Sequence, residues 1–130
     1  MIVVDASAMI EVLLNTSTGV QLAERVFDPD EILHAPHLLD VDLARVLRRY
    51  TRAGELDAAR GLQALEHLAD FPLTRYPHDL FLLRIWELRH NVTPYDAAYI
   101  AVAEALGAPL LTRDAALASV PGHHAQIELI

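Results

Sequence analysis

Short apolar runs alternate with longer amphipathic segments along this sequence, and that alternation limits the fold more than any other feature. The runs have the length and β-branched content of buried strands, whereas the segments between them have helical periodicity. Strands that alternate with helices indicate an α/β fold with a mostly parallel sheet. The strands are predicted at 2–5, 32–36, 73–76, 109–112 and 127–130.

The segments between the strands carry residues typical of helix ends. Ser7 is a possible N-cap for the first helix, and Gly54 is a natural C′ residue for the third. Thr93 and Gly107 bound the last helix, whose nearly all-apolar interior predicts burial on most sides. The helices are predicted at 8–14, 19–28, 56–70, 78–90 and 93–107, with a further one inside 37–53.

Composition restricts the class of protein. A chain of 130 residues that is 53% hydrophobic is expected to form one domain over 1–130 with a full core. The absence of Cys excludes disulfides, thiolate catalysis and Cys-based zinc sites, and fits a cytoplasmic location. The start lacks the basic region of a signal peptide, and no apolar run reaches the roughly 20 residues of a membrane span.

Charge gives two opposing indications. A net charge of −8 argues against nucleic-acid binding, because phosphate contacts need positive charge. Acidic residues that hold divalent cations reverse this argument. All ten basic residues are Arg, so the missing Lys excludes a P-loop and disfavours phosphoryl-transfer sites that use a lysine.

Two predicted strands run into acidic residues. The first strand ends on Asp5, and the fourth leads to Asp114. Parallel sheets bind ligands beyond the carboxyl ends of their strands. Asp96 begins the most apolar helix, and Asp42 lies at the margin of the apolar face of the helix inside 37–53. We therefore expect these four acids to converge on one site.

Each acid also has an ordinary structural explanation. Asp5, Asp96 and Asp114 are all placed to cap a helix or open a turn, and Asp42 could be solvated. Asp40 competes with Asp42, although it could instead cap its helix. Two carboxylates about 4 Å apart repel by roughly 4 kcal/mol at an effective dielectric near 20. A shared site therefore needs protons or cations, and oxygen ligands suit Mg²⁺ or Mn²⁺.

A carboxylate-held metal site would serve phosphodiester hydrolysis, because metal ions activate water and neutralise the transition state. Arg45 and Arg49 lie near Asp42 on the same helix and are expected to grip phosphates, with a solvated helix face as the alternative. Thr112 or Ser7 would orient an acid or a metal-bound water, with local capping as the alternative.

Other conspicuous residues are given ordinary roles. The seven His residues lack zinc-ligand spacing and are expected to lie at the surface or to support neighbouring groups. An apolar stripe at helical spacing is expected to pack in the core, with a partner-binding groove as the alternative. The stripe consists of Phe81, Leu82, Ile85 and Trp86.

Three segments together resemble a known family. MIVVDASA, HLLDVDLARVLRR and TPYDAAYIAVAEALGAPLLTRD, in this order, resemble PIN-domain proteins and, more narrowly, the VapC toxins of bacterial VapBC toxin–antitoxin pairs. The resemblance covers essentially the whole chain. It implies a PIN-like three-layer α/β/α fold, an acidic Mg²⁺ or Mn²⁺ site, and endoribonuclease activity on RNA.

The resemblance also implies partners and site residues. The partners are a second copy of the chain, which forms a homodimer, and a VapB-like antitoxin whose tail blocks the active site. Asp5, Asp42, Asp96 and Asp114 match the catalytic, metal-holding acids, and Thr112 matches the polar residue before the last acid. The family usually has Glu where this chain has Asp42, so weaker metal binding or activity is one expectation. A PIN-like module that binds RNA or a partner without cutting, and a small phosphatase, are the alternatives.

Overall fold

The five predicted strands pair in one sheet, and every neighbouring pair is parallel. The strands are β1 (Ile2–Val4), β2 (Leu33–Pro36), β3 (Leu73–Tyr76), β4 (Leu110–Thr112) and β5 (Ile127–Leu129). The computed structural model, which describes residues 1–130, places them in the order β3-β2-β1-β4-β5. The strand order therefore reverses between β1 and β4, and open parallel sheets bind ligands beside such a reversal.

Helices cover both faces of the sheet, which confirms the three-layer α/β/α architecture. They are α1 (Ala6–Leu13), α2 (Ser17–Val26), α3 (Leu38–Arg52), α4 (Ala58–Asp70), α5 (Leu82–Glu87), α6 (Pro94–Leu106) and α7 (Ala115–Ala118). None of them combines the length and the apolar content that a membrane-crossing helix requires.

The core lies where β1 and β2 meet α6, with α3 packed on β2. All of β1 is buried, and so is the run from Ala97 to Ala103 in α6, which packs across β1, β2 and β4. The apolar face predicted for α3 is buried at Leu39, Leu43 and Leu47. Each fully buried Leu contributes about 1.5–3 kcal/mol. This burial fixes the two helices that carry Asp42 and Asp96 against the central strands.

Two helix predictions need correction. The first helix starts at Ala6, and its N-cap is Asp5 rather than Ser7. The helix predicted over 78–90 is instead a 3₁₀ turn (His78–Phe81) followed by the short α5, which ends at Glu87. The Gly107 end is confirmed, because this residue adopts the left-handed conformation (φ +61°) that Gly reaches without strain.

The break in the predicted 78–90 helix also changes what its apolar stripe does. Phe81 and Ile85 pack against the core as predicted. Leu82 and Trp86 are exposed, so the core prediction was wrong for them. A single turn and a half of helix can bury only one narrow face, and the other face remains in solvent.

Candidate active site

Asp5 lies at the carboxyl end of β1, beside β4. Its backbone N–H donates to the Leu111 carbonyl oxygen at 3.3 Å, which continues the ladder that pairs Val4 with Leu111. Asp5 is only 8% exposed. Burial raises the pKa of its carboxyl, and hydrogen bonds from Ser7, Thr112 and the Ala8 backbone oppose that rise.

Ser7 connects the ends of the two central strands. Its hydroxyl donates to Asp5 Oδ1 at 2.6 Å and accepts from the Arg113 backbone N–H at 2.9 Å. The Ala8 backbone N–H donates to the same Asp5 oxygen at 3.0 Å. Asp5 caps α1 and could still bind another partner, because a carboxylate has about four lone-pair positions and capping uses few of them.

Thr112 and Asp114 form the other side of this edge. The Thr112 hydroxyl lies 3.3 Å from the Ser7 hydroxyl and accepts from the Asp114 backbone N–H at 3.0 Å. Asp114 in turn accepts from the Ala116 backbone N–H at 2.9 Å and caps α7. The structure therefore gives Thr112 a local role that fixes the turn leading to Asp114.

Asp96 lies in the first turn of α6, where its backbone N–H donates to the Thr93 hydroxyl at 3.3 Å. Burial raises the pKa of its carboxyl, and the negative charges of Asp114, Asp5 and Asp42 raise it further. These three acids, from three other parts of the chain, are therefore close enough for their charges to raise the pKa of Asp96. The structure brings all four predicted acids to one edge of the sheet.

Asp42 projects from α3 toward this edge. Its Oδ2 accepts from the Tyr99 hydroxyl at 2.8 Å, and its Oδ1 lies 3.5 Å from the Arg45 guanidinium. Asp40 lies elsewhere, because Arg75 of β3 binds both of its carboxylate oxygens at 2.8 and 3.0 Å. Asp40 forms no helix cap, so that alternative was wrong, and its pairing leaves Asp42 as the acid of α3 at the site.

Two adjacent cavities flank the acids and share Arg45. One, of about 580 Å³, is lined by Asp42, Asp96 and the exposed ring of Tyr95. The other, of about 380 Å³, is lined by Ser7, Arg45, Arg49 and Arg113. Arg113 also pairs with Glu11 at 2.6 Å, whereas Arg49 lies over the Tyr50 ring. The acidic cavity thus opens beside an arginine-lined one.

The residues fit an oxygen-binding cation. All four predicted ligands are carboxylates, which suit Mg²⁺ or Mn²⁺ rather than a softer metal. No three His, Asp or Glu side chains form a ready cluster with metal-ligand spacing.

The His residues form no competing metal site. His34 is buried in β2 and its Nδ1 lies 2.7 Å from the Tyr76 hydroxyl, so it supports a neighbouring group rather than lying at the surface. His124 pairs with Glu104 at 2.6 Å. Both have structural partners away from the acids.

Sequence reasoning missed one residue that contacts the site. Tyr99 has the appearance of a core residue in an Ala-rich helix, and it is indeed 3% exposed. Its hydroxyl nevertheless reaches Asp42. The available signal was its position three residues after Asp96, which places both side chains on neighbouring parts of the same helix face.

The chain is similar to known proteins along nearly its whole length. A sequence model of the PIN domain matches residues 2–123. The chain therefore belongs to the PIN-domain family. Among relatives, Ribonuclease VapC9 of Mycobacterium tuberculosis is 47% identical over 116 residues, covering 88% of this chain and 86% of the relative. Ribonuclease VapC1 of the same organism is 40% identical over 129 residues, covering 98% and 96%.

These two similarities place the chain, within that family, among the VapC proteins. The structure of VapBC2 from Rickettsia felis, bound to a DNA fragment from its promoter, superposes with a TM-score of 0.74 at 12% identity. The superposition covers 100% of this chain and 99% of the other. At that identity the superposition supports the fold alone, and it agrees with the predicted PIN-like architecture.

Proposed function

We propose that this chain is a metal-dependent endoribonuclease that acts as the toxin of a VapBC-type pair. The observation that carries the proposal is the grouping of four carboxylates beside the strand-order reversal. Burial and the charges of the other three acids raise the pKa of Asp96 there. The relatives named Ribonuclease VapC support RNA as the substrate. We place the activity in the cytoplasm, where such a substrate is abundant.

Asp5, Asp42, Asp96 and Asp114 would hold Mg²⁺ or Mn²⁺. When bound, such an ion supplies Lewis-acid stabilisation of the charge that develops on a phosphodiester. Ser7 holds the Asp5 carboxylate in place, and Thr112 holds the turn before Asp114. These two hydroxyls would keep the acids oriented while the substrate is exchanged.

Arg45 and Arg49 would bind the phosphates of the RNA strand. Both line the cavity next to the acids, and both guanidinium groups are largely exposed. Guanidinium groups match phosphate geometry, and such contacts position a nucleic acid without reading its sequence. They also offset the negative field of a chain whose net charge is −8.

A VapB-like antitoxin and a second copy of the chain are the proposed protein partners. Exposed apolar side chains on the 3₁₀ turn and α5 would be covered in a homodimer, because contiguous apolar surface of this kind marks an interaction site. We define this as the α5 surface, formed by Leu80, Leu82, Leu83 and Trp86. Leu83→Glu should shift the protein from dimer to monomer in sedimentation; an unchanged mass would contradict this placement of the dimer interface.

The test of the activity is RNA cleavage by antitoxin-free protein in Mg²⁺, Mn²⁺ or EDTA, with total cellular RNA as substrate. Cleavage should require metal and should be lost in Asp5→Asn and Asp96→Asn. Asp40→Asn is the matched control, because this acid is bound to Arg75 away from the site, and it should still cut. Cuts that persist in the two site variants would exclude the proposed site.

If the protein cleaves no RNA, Asp42 on α3 is the first residue to change, because its side chain is shorter than the Glu that the family usually has. Asp42→Glu should then restore cleavage, because the added methylene extends the reach of the carboxylate. Continued absence of cleavage together with retained RNA binding would favour the binding-module alternative. The feature that favours this alternative is Asp42, which stands where the family usually has Glu.

A further inference from the structure

Tyr99 joins the two helices that carry Asp42 and Asp96. It lies in α6, one turn beyond Asp96, and its ring is buried in the core at 3% exposure. From there its hydroxyl donates to Asp42 Oδ2 on α3 at 2.8 Å. A buried Tyr has only two χ angles, and packing holds both, so its hydroxyl is a donor in a fixed position.

Asp42 has few other means of being held. Its second oxygen lies 3.5 Å from Arg45, whose side chain is 65% exposed and is also placed to bind a phosphate. An exposed arginine at that distance contributes little to orientation. The hydrogen bond from the Tyr99 hydroxyl, at 2.8 Å, is therefore the closer of the two side-chain contacts that hold Asp42.

We propose that Tyr99 is a positioning residue, which holds the Asp42 carboxylate toward the cavity that Asp42 shares with Asp96. The inference rests on the proposed function, because it assigns Tyr99 to the support of one proposed metal ligand. Groups that hydrogen-bond a ligand fix its orientation and tune its affinity for metal. A short acid depends on such support, because it has fewer atoms with which to adjust its reach.

The test measures Mn²⁺ binding by isothermal titration, which does not depend on cleavage. Tyr99→Phe removes only the hydroxyl and keeps the buried ring, and we expect Mn²⁺ affinity to fall about tenfold. Tyr76→Phe is the matched control, since it removes a phenol hydroxyl that contacts His34 instead. It should leave Mn²⁺ affinity unchanged, even if it lowers the melting temperature.

A double-substitution cycle separates positioning from a general structural effect. In an Asp42→Ala background, Tyr99→Phe should cause no further loss of Mn²⁺ affinity, because the carboxylate that Tyr99 orients is already gone. An equal loss in both backgrounds would overturn the inference and leave Tyr99 as a core residue. Unchanged affinity in Tyr99→Phe alone would also overturn it. Parent protein that binds no Mn²⁺ would overturn the proposed metal site along with it, so the two failures are distinguishable.

Discussion

The two ends of α6 carry acids in opposite electrostatic situations. Near its C-terminal end, burial tends to raise the pKa of Glu104, but hydrogen bonds and charge from Arg84 outweigh burial and hold the pKa below its usual range. Arg84 donates to both Glu104 oxygens, at 3.0 and 2.9 Å. At the N-terminal end, burial raises the pKa of Asp96, and its neighbours are three further acids.

The helix dipole would produce the reverse order. It favours an acid in the first turn, where Asp96 lies, and disfavours one in the last turn, where Glu104 lies. That effect is typically about 0.3–1 kcal/mol, which is smaller than a well-placed charged hydrogen bond at about 1.5–3 kcal/mol. Local partners therefore decide both cases. A structural acid is matched with a close cation of the protein, whereas in the candidate site Asp96 has no ionic partner and Asp42 has only the exposed Arg45 at 3.5 Å.

The same contrast recurs within α3. Asp40 is paired with Arg75 through both oxygens, whereas Asp42, two residues later, shares its edge of the sheet with Asp96. The sequence places both acids on one helix turn, and only their partners separate them. An acid without a close two-oxygen ion pair is thus a better indicator of this site than an acid at a helix margin.

The largest expected effect on stability comes from removing the charge of Glu104, the acid that is paired with Arg84. Glu104→Gln leaves Arg84 partly buried with only the exposed Glu87 as an ionic partner, and should lower the free energy of unfolding by roughly 2–3 kcal/mol. Urea unfolding measures this loss. Glu87→Gln, the matched control, should cost less than about 1 kcal/mol. Equal losses in the two variants would contradict the proposed difference between a buried and an exposed pairing.

A smaller effect should come from adding Mn²⁺, which would supply a cation at the N-terminal end of α6, where Asp96 lies. Mn²⁺ at about ten times its dissociation constant should raise the free energy of unfolding by roughly 1.4 kcal/mol. Thermal unfolding in Mn²⁺ and in EDTA measures the gain, which should persist in Glu104→Gln and disappear in Asp96→Asn. A gain that survives in Asp96→Asn would show that the metal binds elsewhere.

Sequence patterns sufficed for the sheet and for the grouping of the four acids, because those depend on local order along the chain and on the helix faces. Alternating strands and helices predict a parallel sheet, and Asp5 and Asp114 end two of its strands. The contact between Tyr99 and Asp42 could not be predicted, because it depends on how α6 packs against α3, 57 residues away. The exposure of Trp86 was missed for a related reason, since it follows from a helix break that hydrophobic periodicity does not reveal.

The smallest expected effect is a stabilisation with a defined pH dependence. Asp96 has a higher pKa in the folded protein, so its ionised form costs stability above that pKa. Asp96→Asn should therefore raise the metal-free melting temperature at neutral pH by a few degrees. The cost in the parent fades as pH falls through the raised folded pKa and vanishes below the unfolded value of about 3.9, so the gain should shrink over that window.

Glu104→Gln behaves in the opposite sense: the stability that Glu104 provides is lost as pH falls through its lowered folded pKa, so the deficit of that variant shrinks at lower pH. Melting curves in EDTA from neutral pH to below the lowered pKa of Glu104 test both signs, and a gain for Asp96→Asn that stays constant with pH would mean that the ionised Asp96 carboxylate does not destabilise the fold.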